Sequence, residues 1–420
     1  MFCAALMMAA TSVAAAAQTA PPTPTPDKTD PASSQPPANP PPQGAPPESR
    51  EAAIEQKQAE KVPELHPYIP NKAEQIFNYA DTILQGGQLR VHPFFNSAYS
   101  GGGFTLGAGY LAYLTGYNYI DTRGSWTFKN YKRIETEFVA PRLFDRRGKL
   151  SVLGGWREAT QVGFYGLGTN TSKDARTNYL FQQPYASALL TLFPTRGVLM
   201  LQGGAELSQW TQKPSDTAPS VETVFTPGTL PGLGAKVTYL HTQGTVGIDW
   251  RTSPGYSRRG GFYGVTFHDY HDGDDQFGFQ MLSYEAIQHV PILREAWVLS
   301  FHARVETAME KNNQQTPFFM LPALGGGSSL RGYTSWRFRD QNSLLLQAEW
   351  RIMVNRYFDT AFFYDAGKVA ARASDLDLNG LKDNFGFGVR FHGPFSTPLR
   401  VEIARSHEAT SFIFSSSAAF

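Results

Sequence analysis

The chain has 420 residues, 41% of them hydrophobic and 13% aromatic, with 37 basic against 36 acidic side chains. That hydrophobic content excludes disorder for the bulk of the chain, and the near balance of charge gives no electrostatic footing for nucleic-acid binding. The 39 glycines and 30 phenylalanines, in a chain of negative mean hydropathy, suit strands with one polar face, tight turns and aromatic girdles, although soluble sandwiches share that composition.

The chain opens on what reads as an export signal. Met1 to Ala17 is almost wholly small and apolar, and Ala15-Ala16-Ala17 ahead of Gln18 has the small-x-small form of a cleavage site, although no Lys or Arg stands near the start. The only cysteine, Cys3, would leave with residues 1–17, so the mature chain is expected to lack thiols, as suits an oxidising envelope. No later apolar run approaches the roughly 18 to 20 residues that a spanning helix requires. An exported chain of this kind is soluble, lipid-anchored or a β-barrel.

Residues 18–70 read as a tether. Twelve of the 29 prolines fall between Pro21 and Pro47, and proline, with no backbone donor, holds extended polyproline geometry. Residues 71–88 read as a short amphipathic helix leading into the next region, with Ile76, Phe77, Ala80 and Ile83 at helical spacing and Asn71 as its N-cap.

From Leu89 to Phe420 the chain breaks into stretches of alternating apolar and polar residues separated by Gly, Pro, Asn and Asp clusters. Leu344, Leu346, Ala348, Trp350 and Ile352 alternate with Leu345, Gln347, Glu349 and Arg351. Phe385, Phe387, Val389 and Phe391 alternate with Gly386, Gly388, Arg390 and His392, and Leu399, Val401 and Ile403 with Arg400, Glu402 and Ala404. Alternation alone fits a sandwich as well as a barrel. The end of the chain separates them. Phe412, Phe414 and the final Phe420 share one parity, the mark of a terminal outer-membrane strand, whereas a soluble protein gains little from burying its last residue. At about 20 residues per strand and loop, the chain after the lead-in yields about 16 strands, an even number as a closed antiparallel barrel expects. The expected fold is therefore an all-β transmembrane antiparallel barrel of a bacterial outer membrane.

Several segments resemble the BamA/TamA outer-membrane assembly-factor superfamily, whose barrels form the surface-antigen family. Leu324-Gly325-Gly326-Gly327-Ser328-Ser329-Leu330-Arg331-Gly332-Tyr333 is similar to that family's long sixth loop, with its glycine-rich approach and Arg-Gly-aromatic tip. Arg337-Phe338-Arg339-Asp340 follows, and Phe363-Tyr364-Asp365-Ala366-Gly367 is similar to the family's F-x-D-x-G strand. Phe387-Gly388-Val389-Arg390-Phe391 and Pro398-Leu399-Arg400 resemble its last strands, and Phe164-Tyr165-Gly166-Leu167-Gly168 and Asp249 to Gly260 resemble earlier parts of single-barrel members.

Physical chemistry supports that reading of the loop. An arginine carried into a barrel lumen is costly unless carboxylates meet it, and Glu349 and Asp365 sit on consecutive strands, each in the inward set. Charge-assisted bonds from Arg331 to Glu349 and Asp365 would pin the loop to the wall, with Gly332 allowing a close turn, Tyr333 packing beside it and Gly367 closing the strand motif. The resemblance implies that this lock supports barrel assembly and activity. Family members carry polypeptide-transport-associated domains of about 75 residues ahead of the barrel, and the stretch between residues 18 and 88, rich in proline at its start, is not expected to hold one.

Other constellations carry less. His268-Asp269-Tyr270-His271-Asp272 with Asp274 and Asp275 fits a metal site or, more simply, a polar extracellular loop. Asp375-x-Asp377-x-Asn379-Gly380 opens like a calcium loop, but Gly386 stands where its closing glutamate belongs. No nucleophile stands beside a recognisable base and no G-x-S-x-G elbow occurs, so no enzyme, cofactor or metal is expected. The expected role is insertion or translocation of proteins, or of lipids, at the outer membrane. Client strands would add at a seam between Leu89–Ala98 and Ser411–Phe420, with Gly101, Gly102 and Gly103 forming either a flexible edge or a plain turn. The competing expectation is a passive pore or structural barrel that kept the scaffold alone. Expected partners are outer-membrane lipids and client membrane proteins or a separate periplasmic protein, without nucleic acid.

Overall fold

The computed structural model describes residues 90–420 apart from 196, 197, 312, 356, 394 and 395, together with Lys57, Asn71, Lys72, Glu74, Gln75 and Asn78. The expected signal at 1–17, the tether at 18–70 (save Lys57), Leu89 and the helix positions Ile76, Phe77, Ala80 and Ile83 lie outside the described residues. The chain divides into a unit Met1–Ile69 and a unit Pro70–Phe420. At the start of the second, Asn71 Oδ1 accepts from the Glu74 amide at 2.8 Å, and the Glu74 carboxylate accepts from the Asn71 amide at 3.0 Å. That reciprocal pair is a capping box, and the first helical bond runs from the Gln75 amide to the Asn71 carbonyl.

Eighteen strands follow. The first are β1 (Val91–Pro93), β2 (Thr105–Tyr113), β3 (Tyr119–Thr127), β4 (Lys132–Leu143), β5 (Gly148–Phe164) and β6 (Thr177–Leu192). Then come β7 (Leu199–Pro214), β8 (Lys236–Asp249), β9 (Gly260–Asp272), β10 (Phe279–Pro291), β11 (Trp297–Glu310), β12 (Ala323–Leu324) and β13 (Phe338–Arg339). The last are β14 (Asn342–Met353), β15 (Phe358–Ala370), β16 (Lys382–Phe391), β17 (Leu399–Ser406) and β18 (Thr410–Ser415). Sixteen of them form one antiparallel sheet in chain order, while β12 and β13 make a separate two-stranded ribbon inside the β11–β14 loop. The sheet curls as a barrel, but β1 and β18 remain its two edges, with no ladder between them among the described residues.

The pattern along each strand explains why this sheet belongs in lipid. In β17 exposed and buried residues alternate without exception, yet the exposed set is Leu399, Val401, Ile403 and Arg405, and the buried set is Arg400, Glu402, Ala404 and Ser406. Phe385, Phe387, Phe412 and Phe414 likewise point outward. A soluble sandwich would bury the apolar face; here it is turned out and the charged face is enclosed, the arrangement a bilayer selects. Among the described residues no helix is long and apolar enough to cross a membrane.

The connections differ at the two ends. Those at 114–118, 144–147, 193–198, 250–259, 292–296, 354–357 and 392–398 are short, whereas those at 215–235 and 311–341 are long. In outer-membrane barrels short turns face the periplasm and long loops the exterior. The outer half of the lumen holds an aromatic core to which β5, β6 and β7 contribute Phe164, Tyr179, Phe181 and Trp210, and the 311–341 loop Phe318 and Phe319. Phe318 meets the rings of Phe164 and Tyr179 at 5.1 and 5.0 Å.

Two expectations are corrected. Phe420 does not share the outer face with Phe412 and Phe414: β18 stops at Ser415, and the Phe420 ring stacks 5.1 Å from His302, a buried side chain of the inner wall. Beyond Ser415, which pairs with Arg400, no ladder holds the chain extended, so parity no longer applies. His268 to Asp272 is the end of β9 rather than a loop. Alternation therefore sends His268, Tyr270 and Asp272 to one face and Asp269 and His271 to the other, which splits the imagined ligand set. Of the two readings of the glycine run, the positive φ of Gly101 and Gly103 (+94° and +80°) favours the turn.

Candidate functional site

The β11–β14 loop enters the lumen through the β12–β13 ribbon, which frames residues 325–337. At its tip Arg331 is 1% exposed as a residue, and its side chain is wholly enclosed. Its Nε donates to Asp365 Oδ2 at 2.8 Å and its Nη2 to Asp365 Oδ1 at 2.5 Å, a bidentate fork. Nη1 donates to Glu349 Oε1 at 2.6 Å and lies 3.4 Å from both carboxylate oxygens of Glu402. The Phe363 ring covers the remaining face, 3.5 Å from Cζ.

The carboxylates are themselves shared. Arg390 Nη2 donates to Glu349 at 2.7 Å and to Glu402 at 3.1 Å, and Arg400 Nη1 donates to Glu402 at 3.2 Å. Three arginines thus face three carboxylates, so the buried cluster is neutral. Asn384 and Gln347 complete the shell, donating to Asp365 at 2.8 and 3.0 Å. Register explains the gathering: Gln347 pairs with Asp365 and Asp365 with Asn384 along β14, β15 and β16, and Gly388 with Glu402 along β16 and β17. The four strands place their inward residues at one depth.

Gly332 and Gly367 are fixed by contact rather than by dihedral. A Cβ at Gly332 would lie 2.6 Å from Asn384 Cβ and 3.0 Å from Ser406 Cβ, and one at Gly367 2.6 Å from the Leu344 carbonyl. Ser406 Oγ also donates to the Gly332 carbonyl at 2.8 Å. Tyr333 packs with Leu324, Leu330, Phe338, Leu345 and Val369, and its hydroxyl donates to the Asp383 carbonyl and shares a 2.9 Å hydrogen bond with His407.

Beyond Tyr333 the loop reaches both edges of the open sheet. On the β18 side Arg337 forms a bidentate pair with Glu408, in the β17–β18 connection, at 2.8 Å for each bond. On the β1 side Trp336 stacks on Tyr99 with ring centres 4.5 Å apart, and its Nε1 donates to the Ser100 carbonyl at 2.9 Å. The Phe164–Gly168 segment backs the same loop. The Gly168 amide donates to the Arg339 carbonyl at 2.9 Å, and Tyr165 OH shares a 2.9 Å hydrogen bond with Thr334.

Arg331, Gly332, Tyr333, Glu349, Asp365 and Gly367 therefore lie together, whereas Phe412 and Phe414 stand on the outer face and Phe420 at the turn end of the lumen. Sequence reasoning missed Glu402, Arg390 and Arg400 as partners of the lock, although all three belong to inward sets. It also missed the pairing of Arg337 with Glu408. In the β15–β16 loop, Asp377 accepts from Lys368 Nζ at 2.7 Å and from the Asn379 amide at 3.1 Å.

The Omp85 superfamily domain matches residues 118–413, most of the chain and nearly all of the sheet. The chain belongs to the Omp85 superfamily. Among solved structures it is similar to BamA from Haemophilus ducreyi lacking POTRA domains 1–3, with a TM-score of 0.57 and 13% identity over 75% of this chain and 67% of that one. It is also similar to CdiB from Escherichia coli, with a TM-score of 0.51 and 12% identity over 79% of this chain and 61% of that one. At these identities the likeness speaks for the fold alone. No curated protein matches the sequence. The Omp85 assignment makes this an outer-membrane barrel.

Proposed function

We propose that this Omp85 barrel inserts or translocates proteins at the outer membrane, with the gap between β1 and β18 as the place where a client strand adds. One observation carries the reading: among the described residues the sixteen-stranded sheet ends in two unpaired edges, β1 and β18. An edge strand exposes unsatisfied backbone groups, and an arriving strand is bound by satisfying them. Loop 325–337 would regulate that gap. Its Arg331 end is fixed to the wall of β14–β17, while Trp336 and Arg337 bridge to either side of the opening. Export by a cleaved signal at residues 1–17 belongs to the same proposal, and no catalytic step or cofactor enters it.

The aromatic core of the outer lumen and the enclosed loop speak against the passive-pore reading. The test is site-specific photocrosslinking in cells, with the probe placed at Val91 and Phe414 on the edges and at Leu207 on the outer face of β7. Client barrel chains trapped at the edges and not at Leu207 support the proposal. No trapped chains, together with large stable conductance and normal outer-membrane protein levels on deletion, would establish a pore instead.

A further inference from the structure

The two rims of the barrel differ in charge. At the turn end, the β4–β5 turn carries Arg146 and Arg147, the β8–β9 turn carries Arg251, Arg258 and Arg259, and the β10–β11 turn carries Arg294. Asp145 and Glu295 are the only acids among the described residues of those turns. Arg251 is neutralised by Asp249 at 2.9 Å and Arg259 faces Glu295 at 3.8 Å. Arg146, Arg147 and Arg294 are exposed and have no acidic partner within salt-bridge distance among the described residues. At the loop end, Asp216, Glu222, Asp274, Asp275, Asp375 and Asp377 offset the basic residues.

Two further observations bear on what the turn rim meets. Exposed apolar side chains stand on the same rim: Phe144, Ile292 and Leu293 on two of these turns, and Leu114 and Tyr117 on the neighbouring β2–β3 turn, with the Arg142 guanidinium 3.6 Å over the Tyr117 ring. Hairpin turns with two left-handed residues favour Asn and Gly. Yet Phe144, Asp145 and Arg146 sit at φ +51°, +57° and +69°, and Arg294 and Glu295 at +43° and +66°. Arginine there costs backbone strain that a glycine would avoid. An acidic soluble partner would account for the arginines but not for the apolar tips beside them. A bilayer interface accounts for both, with the apolar tips among acyl chains and the guanidinium forks at phosphate depth.

We propose that the turn rim is a binding ring for anionic phospholipid headgroups of the periplasmic leaflet, with Arg146, Arg147 and Arg294 as its phosphate contacts. The ring anchors the barrel's depth and tilt independently of any client.

The test is native mass spectrometry of the full purified chain in detergent, supplied with equal amounts of phosphatidylglycerol and phosphatidylcholine of identical acyl chains. The expected result is selective retention of phosphatidylglycerol, on the order of fivefold per engaged arginine, falling toward parity in about 0.5 M salt. The combined R146E/R147E/R294E variant should lose the preference, and R146K/R147K/R294K should keep most of it. Equal retention of the two lipids, a preference that salt leaves unchanged, or one that survives the glutamate variant would overturn the proposal. Should the glutamate variant fail to fold, the salt titration of the unaltered protein decides alone.

Discussion

The wall formed by β14–β17 and the gap between β1 and β18 meet the same loop in opposite ways. On the wall, Arg331 is enclosed, charge-paired and covered by an aromatic ring, and its partners are braced by Arg390, Arg400, Asn384 and Gln347. At the gap no ladder joins the strands among the described residues, and the loop bridges them by one stacked tryptophan and one arginine fork near the outer rim. Removing a partner from a buried charge cluster leaves an uncompensated ion, and Arg337 is as buried as Arg331, whereas the partly exposed Trp336 contact returns its groups to water. The loop is therefore built to stay at Arg331 and Arg337 and to let go at Trp336, on the β1 side of the gap.

That contrast is broken most severely by Arg331→Ala. Arg390 still serves Glu349 and Glu402, but Asp365 is left buried without a cation, so unfolding free energy should fall by about 3–5 kcal/mol. Loss of heat-modifiable mobility on gels, or a lowered urea midpoint, reads this; an unchanged midpoint would remove the lock. Gly332→Ala tests the close approach: its methyl would press on Asn384 and Ser406 and should cost about 1–3 kcal/mol in the same assay. Trp336→Ala acts on the other end of the loop. It should cost only about 1 kcal/mol of stability, the scale of an aromatic pair with one hydrogen bond. It should nonetheless widen the distribution of spin-label distances between Val91 and Phe412, and a distribution identical to that of the parent would show that the loop tip does not hold the gap. Asp377→Asn removes the ion pair with Lys368 in an exposed loop and should change neither readout, which makes it the control for surface charge.

The barrel was legible in the sequence because two short-range signals suffice for it. Alternation assigns every strand an inner and outer face, and apolar residues on the outer face of Phe385–Phe391 and Leu399–Ile403 distinguish lipid from water. The number of strands followed from chain length. What alternation does not encode is pairing across the lumen. Glu349 and Asp365 were legible beside Arg331 through a motif, but Glu402 lies 71 residues further along the chain, and only the stagger of β14 to β17 brings it level. The Arg337–Glu408 fork, also 71 residues apart, has the same origin. Phe420 was misplaced because parity was extended past the last paired residue, Ser415. His268–Asp272 was misread because a polar run at a strand end has the composition of a loop while its backbone remains in the ladder with β8 and β10.

The most direct test of the account is a disulfide between the loop tip and the β1 side of the gap. A Cβ built at Gly101 lies 3.1 Å from Ser335 Cβ, close to the span of a disulfide, and the expected mature chain contains no other cysteine. The reduced G101C/S335C protein controls for placing a side chain at Gly101, whose φ is +94°. Membrane insertion of a client barrel should stop when the disulfide forms and resume on reduction. Full insertion by the oxidised, crosslinked protein would contradict the claim that the loop tip must release the gap.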